Sequence, residues 1–507
     1  MNIKFAKNNL SVNQIVLQKT EKFIVVEDEI VPDIKPDILS IISTSGNVCI
    51  QKKEVQDGKI KIDGTIEGYV VYIANDEKSN IRAINTTMPF SKIIEIPEIT
   101  SSMVVCEKAV IQNIECKALN ERKINLKASI EVNFMVYSKE DVEYIENIED
   151  TKNVETLSKS LNVNALVGCG DTKVYAKDTV SIESTDNLVD IMKVNVSVEN
   201  IENKVSYNKI LTKADGVFKI MYLTDEGRIE TKQAVIPIIG FLDMQNVEED
   251  NLCDISFELK NLEVRPNNME EHSVYVEAEF EILGIIYKKQ NINIIEDLYG
   301  RQEILNYNKK EVKIMATRES VIQKYSLKKQ EKIDELGNNK IYDMQVKCVI
   351  LKENVENNRI TYQGNNEITF IYEKNNGMGL GTKTLAEPFE FTIESDLIKS
   401  KSSIQTSVKI IQKDAVVMSA DLVDIKLEQE FCANICTEEN IKVIENIKED
   451  ETRSIEKFSI VIYYAKSNDN LWKIAKRFGS TVDEITKINN LENEAKILPG
   501  EQLFIPR

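Results

Sequence analysis

The sequence predicts a mainly β chain: three tandem β-sandwich-like repeats followed by a small α+β unit of order β-α-α-β. Three observations carry this. Strand-like runs ending in tyrosine recur 150 residues apart, at Tyr72, Tyr222 and Tyr372. Between them apolar and polar residues alternate with period two, the pattern of strands buried on one face. The last fifty residues abandon that alternation for two short runs with helical spacing. The length of 507 residues suits three to five domains at ~100–200 residues each.

Composition narrows the function classes. With 42% apolar and 29% charged residues the chain can bury cores and is not disordered as a whole. A net charge of −19 leaves no broad basic footprint for nucleic acid or anionic lipid. One histidine, His272, must serve any triad or multi-histidine metal site. It follows the polar run Asn267–Glu271 and reads as a solvated loop residue. The eight cysteines are Cys49, Cys106, Cys116, Cys169, Cys253, Cys348, Cys432 and Cys436. Only Cys432 and Cys436 are close in sequence, and nothing completes a zinc or iron–sulfur set. Free thiols in a reducing cytosol are expected, with no metal and no cofactor. The start, Met1–Asn9, has no apolar signal-peptide core. The longest apolar run, Ala234–Leu242, is broken by Pro237 and is far below the ~20 residues of a spanning helix, so no membrane insertion is expected.

The repeats share four classes of landmark. Gly64, Ala214 and Gly364 stand eight residues before the tyrosines. Pro89-Phe90, Pro237-Ile238 and Pro388-Phe389 follow them. Ile41, Ile191 and Ile341 open the units in the same register, and Tyr137 and Tyr287 close later strands in the first two. Ile124–Val132 and Val274–Ile282 alternate strictly. Polar turns at Ala74–Lys78 and Thr224–Arg228 join such strands. Short helical turns are expected near Pro36–Leu39 and Asp186–Val189. The units are placed at 1–150, 165–300 and 312–436, with Gly168-Cys169-Gly170 in a flexible joint. The acidic stretch 437–458 reads as a linker, extended or partly helical, and 459–507 as the terminal unit. Asn376–Lys383 looks like a phosphate loop but does not meet GxxxxGK[ST] and falls in a hairpin slot. No carboxylate pair stands apart from the acidic background, so no catalytic residues are assigned and the chain reads as non-enzymatic.

In the terminal unit Val461–Tyr464 reads as a strand. Asn470 caps a helix whose inner face is Leu471, Ile474, Ala475 and Phe478. Lys473, Lys476 and Arg477 lie off that face, where cations suit the helix C-terminus. Gly479 ends the helix. Thr481–Glu484 is a capping box for a second helix with Val482, Ile485 and Ile488 inside. Leu498–Glu501 is a turn and Gln502–Pro506 a closing strand.

That string closely resembles a LysM domain, through Asp469–Phe478, Val482–Ile485, Asn489–Leu491 and Ile497–Pro506. The resemblance implies a shallow groove for N-acetylglucosamine polymers, built from the loops before the first helix and before the last strand. Carried over, its residues are Ser467, Asn468, Asp469, Asn470 and Leu471 with Trp472, then Ile497, Leu498, Pro499 and Gly500. The family's usual Gly-Asp-Thr or Gly-Asp-Ser is here Asn468-Asp469-Asn470. Asn tolerates positive φ and its amide can cap, but the rim is bulkier. Trp472 reads first as a packed residue, and otherwise as an exposed anchor.

The repeats resemble the SPOCS domain of spore-coat proteins. The matching residues are Val31–Leu39, then Gly64-x-x-x-Gly68-Tyr69-Val70-Val71-Tyr72, and Pro89-Phe90-Ser91, with the second and third copies more diverged. SPOCS repeats plus a terminal LysM resemble the SipL-like spore-coat morphogenetic family, related in layout to SpoVID. The resemblance implies an adaptor in the mother-cell cytoplasm, at the forespore surface within the spore coat. Its implied partner is the coat basement ATPase SpoIVA, with the LysM as a protein-docking module. Self-association or contact with other coat proteins is possible in that scheme. The alternative is a peptidoglycan-binding protein anchored to cortex or cell wall. From Val461 onward seven basic side chains face six acidic ones. The negative charge therefore sits in the repeats and linker and favours basic partners there.

Overall fold

A computed structural model describes residues 4–75, 81–149, 153–182, 187–267, 272–374, 379–400, 402–419, 421–454, 460–491 and 497–506. In the first unit β1 (Phe5–Ile30), β6 (Lys123–Ile148) and β5 (Val104–Asn120) form one antiparallel sheet in that order. A second sheet has the order β2 (Ile38–Gln56), β3 (Lys59–Ala74), β4 (Ile81–Glu95). Their inner faces share one core, in which Val25, Val105, Ile124 and Leu126 meet Ile50, Ile60, Ile62 and Ile84. That is a sandwich, built by the period-two alternation of its strands.

The next two units repeat it strand for strand. The second has β7 (Val154–Ser181), β12 (Ser273–Gly300) and β11 (Leu252–Pro266) in one sheet. Its other sheet is β8 (Leu188–Ser206), β9 (Lys209–Thr224) and β10 (Ile229–Asp243). The third pairs β13 (Glu303–Lys332), β18 (Leu422–Ser454) and β17 (Ser403–Val417). Beside it lie β14 (Leu336–Glu356), β15 (Arg359–Lys374) and β16 (Leu380–Glu394).

The sequence landmarks are contacts in these ladders. Ile41 faces Tyr72, Ile191 faces Tyr222 and Ile341 faces Tyr372. Gly64 faces Phe90 and Gly364 faces Phe389. A Cβ at Gly64 would lie 2.3 Å from the Cys49 carbonyl oxygen and 2.7 Å from Phe90 Cζ, and one at Gly364 would lie 2.2 Å from the Val349 carbonyl oxygen. Only glycine keeps Ile50 paired with Gly64 and Ile350 with Gly364. In the second unit the residue is Ala214, opposite the smaller Ile238. There Asn200 and Ile201 drop out of the ladder, and Asn200 takes φ 50. The methyl group is accommodated by a wider bulge.

The three units pack around a shared axis. The far halves of β1/β6, β7/β12 and β13/β18 bury one cluster together. Each contributes four side chains: Leu10, Val12, Val142 and Tyr144; Leu161, Val163, Ile292 and Ile294; Val312, Ile314, Ile441 and Val443. The arrangement is a pseudo-three-fold prism made by one chain. Ion pairs bind its seams. Lys193 and Lys219 hold Asp343 at 2.5 and 2.8 Å between the second and third units, with Lys193 and Asp343 each only 3% exposed. Burial opposes ionisation of Asp343, but the two lysines outweigh it and hold its carboxyl at about 2. Between the first and second units Lys260 reaches Glu107 at 3.5 Å, while Lys53 holds Glu107 at 2.6 Å and Glu281 holds Lys260 at 2.7 Å, each from within its own unit. Lys310 and Glu140 join the third unit to the first at 2.9 Å.

The structure departs from several sequence expectations. Residues 437–454 are the end of β18, not a linker, and only 455–458 of that stretch lie outside the described residues. Ile441, Val443 and Ile444 turn into the prism while Glu438 and Glu439 face out. Gly168 to Gly170 lie inside β7, opposite Ile286 to Gly284, and are no joint. Met244 packs across them, and a Cβ on Gly170 would meet its Cγ at 3.0 Å. Strands β7 and β13 begin at Val154 and Glu303, upstream of residues 165 and 312. Pro36–Leu39 is no helical turn: it leads into β2, which starts at Ile38. In Asp186–Val189 the strand β8 starts at Leu188, and Asp186 lies outside the described residues. Gly381 is inside β16, where a Cβ would strike the Tyr372 ring at 2.4 Å, while 376–378 lie outside the described residues, as do 76–78 of the first turn.

Candidate functional site

The terminal unit is built as its spacing predicts. Strands β19 (Ile460–Tyr464) and β20 (Gln502–Pro506) pair antiparallel. Helix α1 spans Leu471–Phe478, and its cap is the Asn470 side chain, which accepts from Lys473 N at 2.8 Å. Gly479 ends it at φ 65. Helix α2 spans Val482–Ile488, with Thr481 Oγ1 accepting from Glu484 N at 3.0 Å. Ile474, Ala475, Ile485, Leu503 and Ile505 form the core. Ile488 is the exception to the expected inner face: it is exposed, because α2 ends there.

The two expected groove loops lie side by side. Ala465 ties them, donating to the Glu501 carbonyl at 2.9 Å and accepting from Gly500 N at 2.8 Å. Asn468 takes φ 72, the left-handed conformation that glycine supplies elsewhere in such a turn. The Asp469 carboxylate accepts from Tyr463 OH at 2.7 Å and Lys466 N at 2.9 Å, which holds its pKa below the ordinary value. Lys473 Nζ reaches back to the Asn468 carbonyl at 3.0 Å. On the second loop the Leu498 N–H donates to the Glu501 carboxylate at 2.8 Å. Gly500 takes φ 89. Ile497 joins the core and Leu471 packs beside it. Leu498 stands out, 64% exposed, with Pro499 exposed beside it and Ser467 and Asn468 exposed on the first loop. The Asp469 carboxylate and the Asn470 amide oxygen are thus spent on the loop's own fold, and the exposed apolar element is Leu498.

Trp472 is the one groove candidate placed elsewhere. Its ring meets Tyr299, at the end of β12, edge to face at 5.0 Å. Its Nε1–H donates to Asp297 Oδ2 at 2.8 Å. Lys476, one turn later, reaches Asp297 Oδ1 at 2.7 Å and Tyr307 OH at 2.8 Å. Tyr299, 5% exposed, donates from its hydroxyl to the Ser480 carbonyl at 2.7 Å. Arg301 grips both oxygens of Glu484, at 2.9 and 3.0 Å. Burial would raise the Asp297 carboxyl, but hydrogen bonds from Lys476, Trp472 and Tyr307 prevail and hold it at about 2. The helical side of the terminal unit is therefore fastened to the end of β12 in the second unit and to Tyr307 at the start of β13.

No sequence signal marked that seat. Residues 297 and 299 correspond through a shared β-bulge to Asn147 and Glu149 in the first unit and Asn446 and Lys448 in the third. Only the second unit offers an acid and an aromatic two residues apart, so one seat exists on a three-fold body.

His272 sits in the tight turn before β12 at φ 60, its carbonyl accepting from Ile182 N at 2.7 Å; Asn268–Glu271 lie outside the described residues. All eight cysteines are free thiols, and burial pushes those of Cys49 and Cys106 up to about 12. Among the described residues no cluster of metal-ligating side chains occurs, and no helix is long and apolar enough to cross a membrane.

Comparison with known proteins finds two matches. A family model described as SipL, SPOCS domain matches residues 37–119 and 188–267. These cover β2–β5 and β8–β11, the corresponding strands of the first two units. A LysM domain model matches residues 463–506. No curated protein and no solved structure matches. Both matched families are binding domains without catalytic chemistry.

Proposed function

We infer, for a chain that joins SPOCS domains to a C-terminal LysM domain as SipL-like proteins do, that it is a non-enzymatic adaptor of spore-coat morphogenesis. It works in the mother-cell cytoplasm, at the forespore surface, and tethers the coat basement ATPase SpoIVA. The LysM domain is its protein-docking head.

The observation that carries this reading is the seat. Trp472 is committed to Tyr299 and Asp297, so the side chain best suited to stack on a sugar ring is withdrawn from the groove. Asp469 and Asn470 on the rim are internally bonded, and Leu498 projects from the second loop as an apolar anchor. Such a surface suits a protein partner, which supplies its own apolar complement. Several weak contacts on one rigid body then add through effective concentration. The LysM match itself supports the other reading, binding of peptidoglycan or related carbohydrate. The loops' free backbone groups could meet an acetamido sugar.

The test is a fluorescent fusion of the full chain in sporulating cells. Leu498→Asp places a charge on the exposed anchor without touching the LysM core. A fusion that encases the forespore, and becomes diffuse both with Leu498→Asp and when the ATPase is absent, supports the docking head. Normal encasement in either case refutes it.

A further inference from the structure

The LysM sheet has one closed edge and one open edge. On β20 the side chain of Asn489 closes the outside. It donates to the Phe504 carbonyl at 2.6 Å and accepts from Phe504 N at 2.7 Å. Phe504 faces Ile462 across the ladder. Because the backbone groups of Phe504 point outward, those of its partner Ile462 also point outward, to the free side of β19. The antiparallel alternation gives Ile460 and Tyr464 the same orientation. Among the described residues no backbone group bonds to that edge.

The same three residues carry exposed apolar side chains. Ile460, Ile462 and Tyr464 are 58, 55 and 60% exposed, and Phe504 extends their patch. This face of the sheet is turned away from the helices that seat against the body. Six of the other edge strands carry protective devices. Strands β4, β10 and β16 each carry a proline, at Pro89, Pro237 and Pro388. Strands β5, β11 and β17 carry lysine or glutamate at intervals. Strand β19, with the sequence Ile-Val-Ile-Tyr-Tyr, has neither device.

We propose that two copies of the chain associate through β19, antiparallel and edge to edge, with Ile462 opposite its own counterpart. Ile460 then faces Tyr464 of the other copy, and each facing pair exchanges two backbone hydrogen bonds. The pairing is isologous and closes as a two-fold dimer. Charge selects a second copy at this place. From Val461 onward the net charge is +1, against −20 for the rest of the chain, read from the same 507 residues. The net like charge of two copies is carried by their bodies and is least at their LysM ends, and an uncharged strand adds no repulsion of its own. A five-residue seam is small, so the association is weak and matters where many copies crowd on one surface. It is independent of what the groove loops bind.

Sedimentation equilibrium of the full chain over a concentration series tests this. The weight-average mass is expected to rise from 57.8 kDa toward twice that value, and to rise further with salt as body repulsion is screened. Ile462→Lys sets two ammonium groups against each other at the centre of the seam. It should weaken association at least ~10-fold, the effect of about 1.4 kcal/mol. Tryptophan emission should not change, since the residue is exposed and remote from the Trp472 seat. Ile462→Asp is the second variant and should do the same. A chain monomeric at all concentrations overturns the proposal, as does association undiminished in both variants. An apolar extended peptide that binds the edge while the chain stays monomeric also overturns it, in favour of strand addition by a different protein.

Discussion

Replacing Asp297 by alanine should release the LysM domain from its seat, and the chain carries its own reporter. Trp472 is the single tryptophan, and it lies against Tyr299 at the seat. Asp297→Ala removes two bonds to the LysM domain, from Trp472 Nε1 at 2.8 Å and Lys476 Nζ at 2.7 Å. Hydrogen bonds to a charged partner contribute ~1.5–3 kcal/mol each when buried. The carboxylate keeps 22% of its side-chain surface, so solvent screening places the pair toward the lower end, ~2–4 kcal/mol together. That shifts the ratio of seated to released LysM by about 30- to 700-fold. Lys476 keeps Tyr307 and Arg301 keeps Glu484, so the domain is loosened, not unfolded. The assay is steady-state emission with acrylamide quenching of the full chain. The variant should emit further to the red and quench more readily, with unchanged far-ultraviolet circular dichroism. Emission and quenching identical to the parent would refute the seat.

Three further outcomes follow from the same contacts. At the seam of the first two units Lys53 and Lys260 face Glu107, Glu258 and Glu281. Burial, then Glu107, raises the Glu258 carboxyl to about 8. A pKa raised on folding favours the folded state below the ordinary carboxylate value, about 4.5, and that advantage is lost as pH rises through 8. Glu258→Gln should therefore flatten the fall in melting temperature between pH 5 and 9 and stabilise the chain by about 1–3 kcal/mol at pH 9, from ~1.4 kcal/mol per pKa unit discounted for partial exposure. Gly64→Ala drives a methyl into the Cys49 carbonyl oxygen and Phe90. It should cost ~1–3 kcal/mol as overpacking does, seen as a lowered first thermal transition, while Ala214→Gly should cost under about 1 kcal/mol. Asn470→Ala removes the cap of α1 and should cost the LysM domain ~1 kcal/mol, whereas Asn470→Ser should retain most of it in the same thermal-unfolding measurement.

Much of the fold was legible because it is written in local and periodic signals. Ile41, Gly64, Tyr72 and Phe90 recur in register because each pair occupies one rung of a ladder, so a spacing of 150 residues preserves a contact. The third unit shows this most clearly. Its sequence escapes the SPOCS family model, yet Ile341, Gly364, Tyr372 and Phe389 hold the same rungs. The LysM helices were legible through Asn470, Gly479 and Thr481, whose capping is decided within four residues. What lay beyond reading was tertiary. Ile441, Val443 and Ile444 sit among so many charges that no apolar face shows, and they become core only against two other units of the prism. Gly168 and Gly170 imitate a joint, although they are small because Met244 crosses β7 there. Asp297 and Tyr299 look like the frayed end of a strand, and nothing in their neighbourhood announces that Trp472, about 175 residues away, will close on them.

The central claim is that this LysM domain docks protein. The most direct test titrates the full chain with purified SpoIVA-type ATPase and, separately, with N-acetylglucosamine oligomers, each repeated with Leu498→Asp. The account predicts saturable binding of the ATPase, weakened by the substitution, and no binding of the sugar. Saturable sugar binding that Leu498→Asp abolishes, with no contact to the ATPase, would contradict it and make the chain a peptidoglycan anchor.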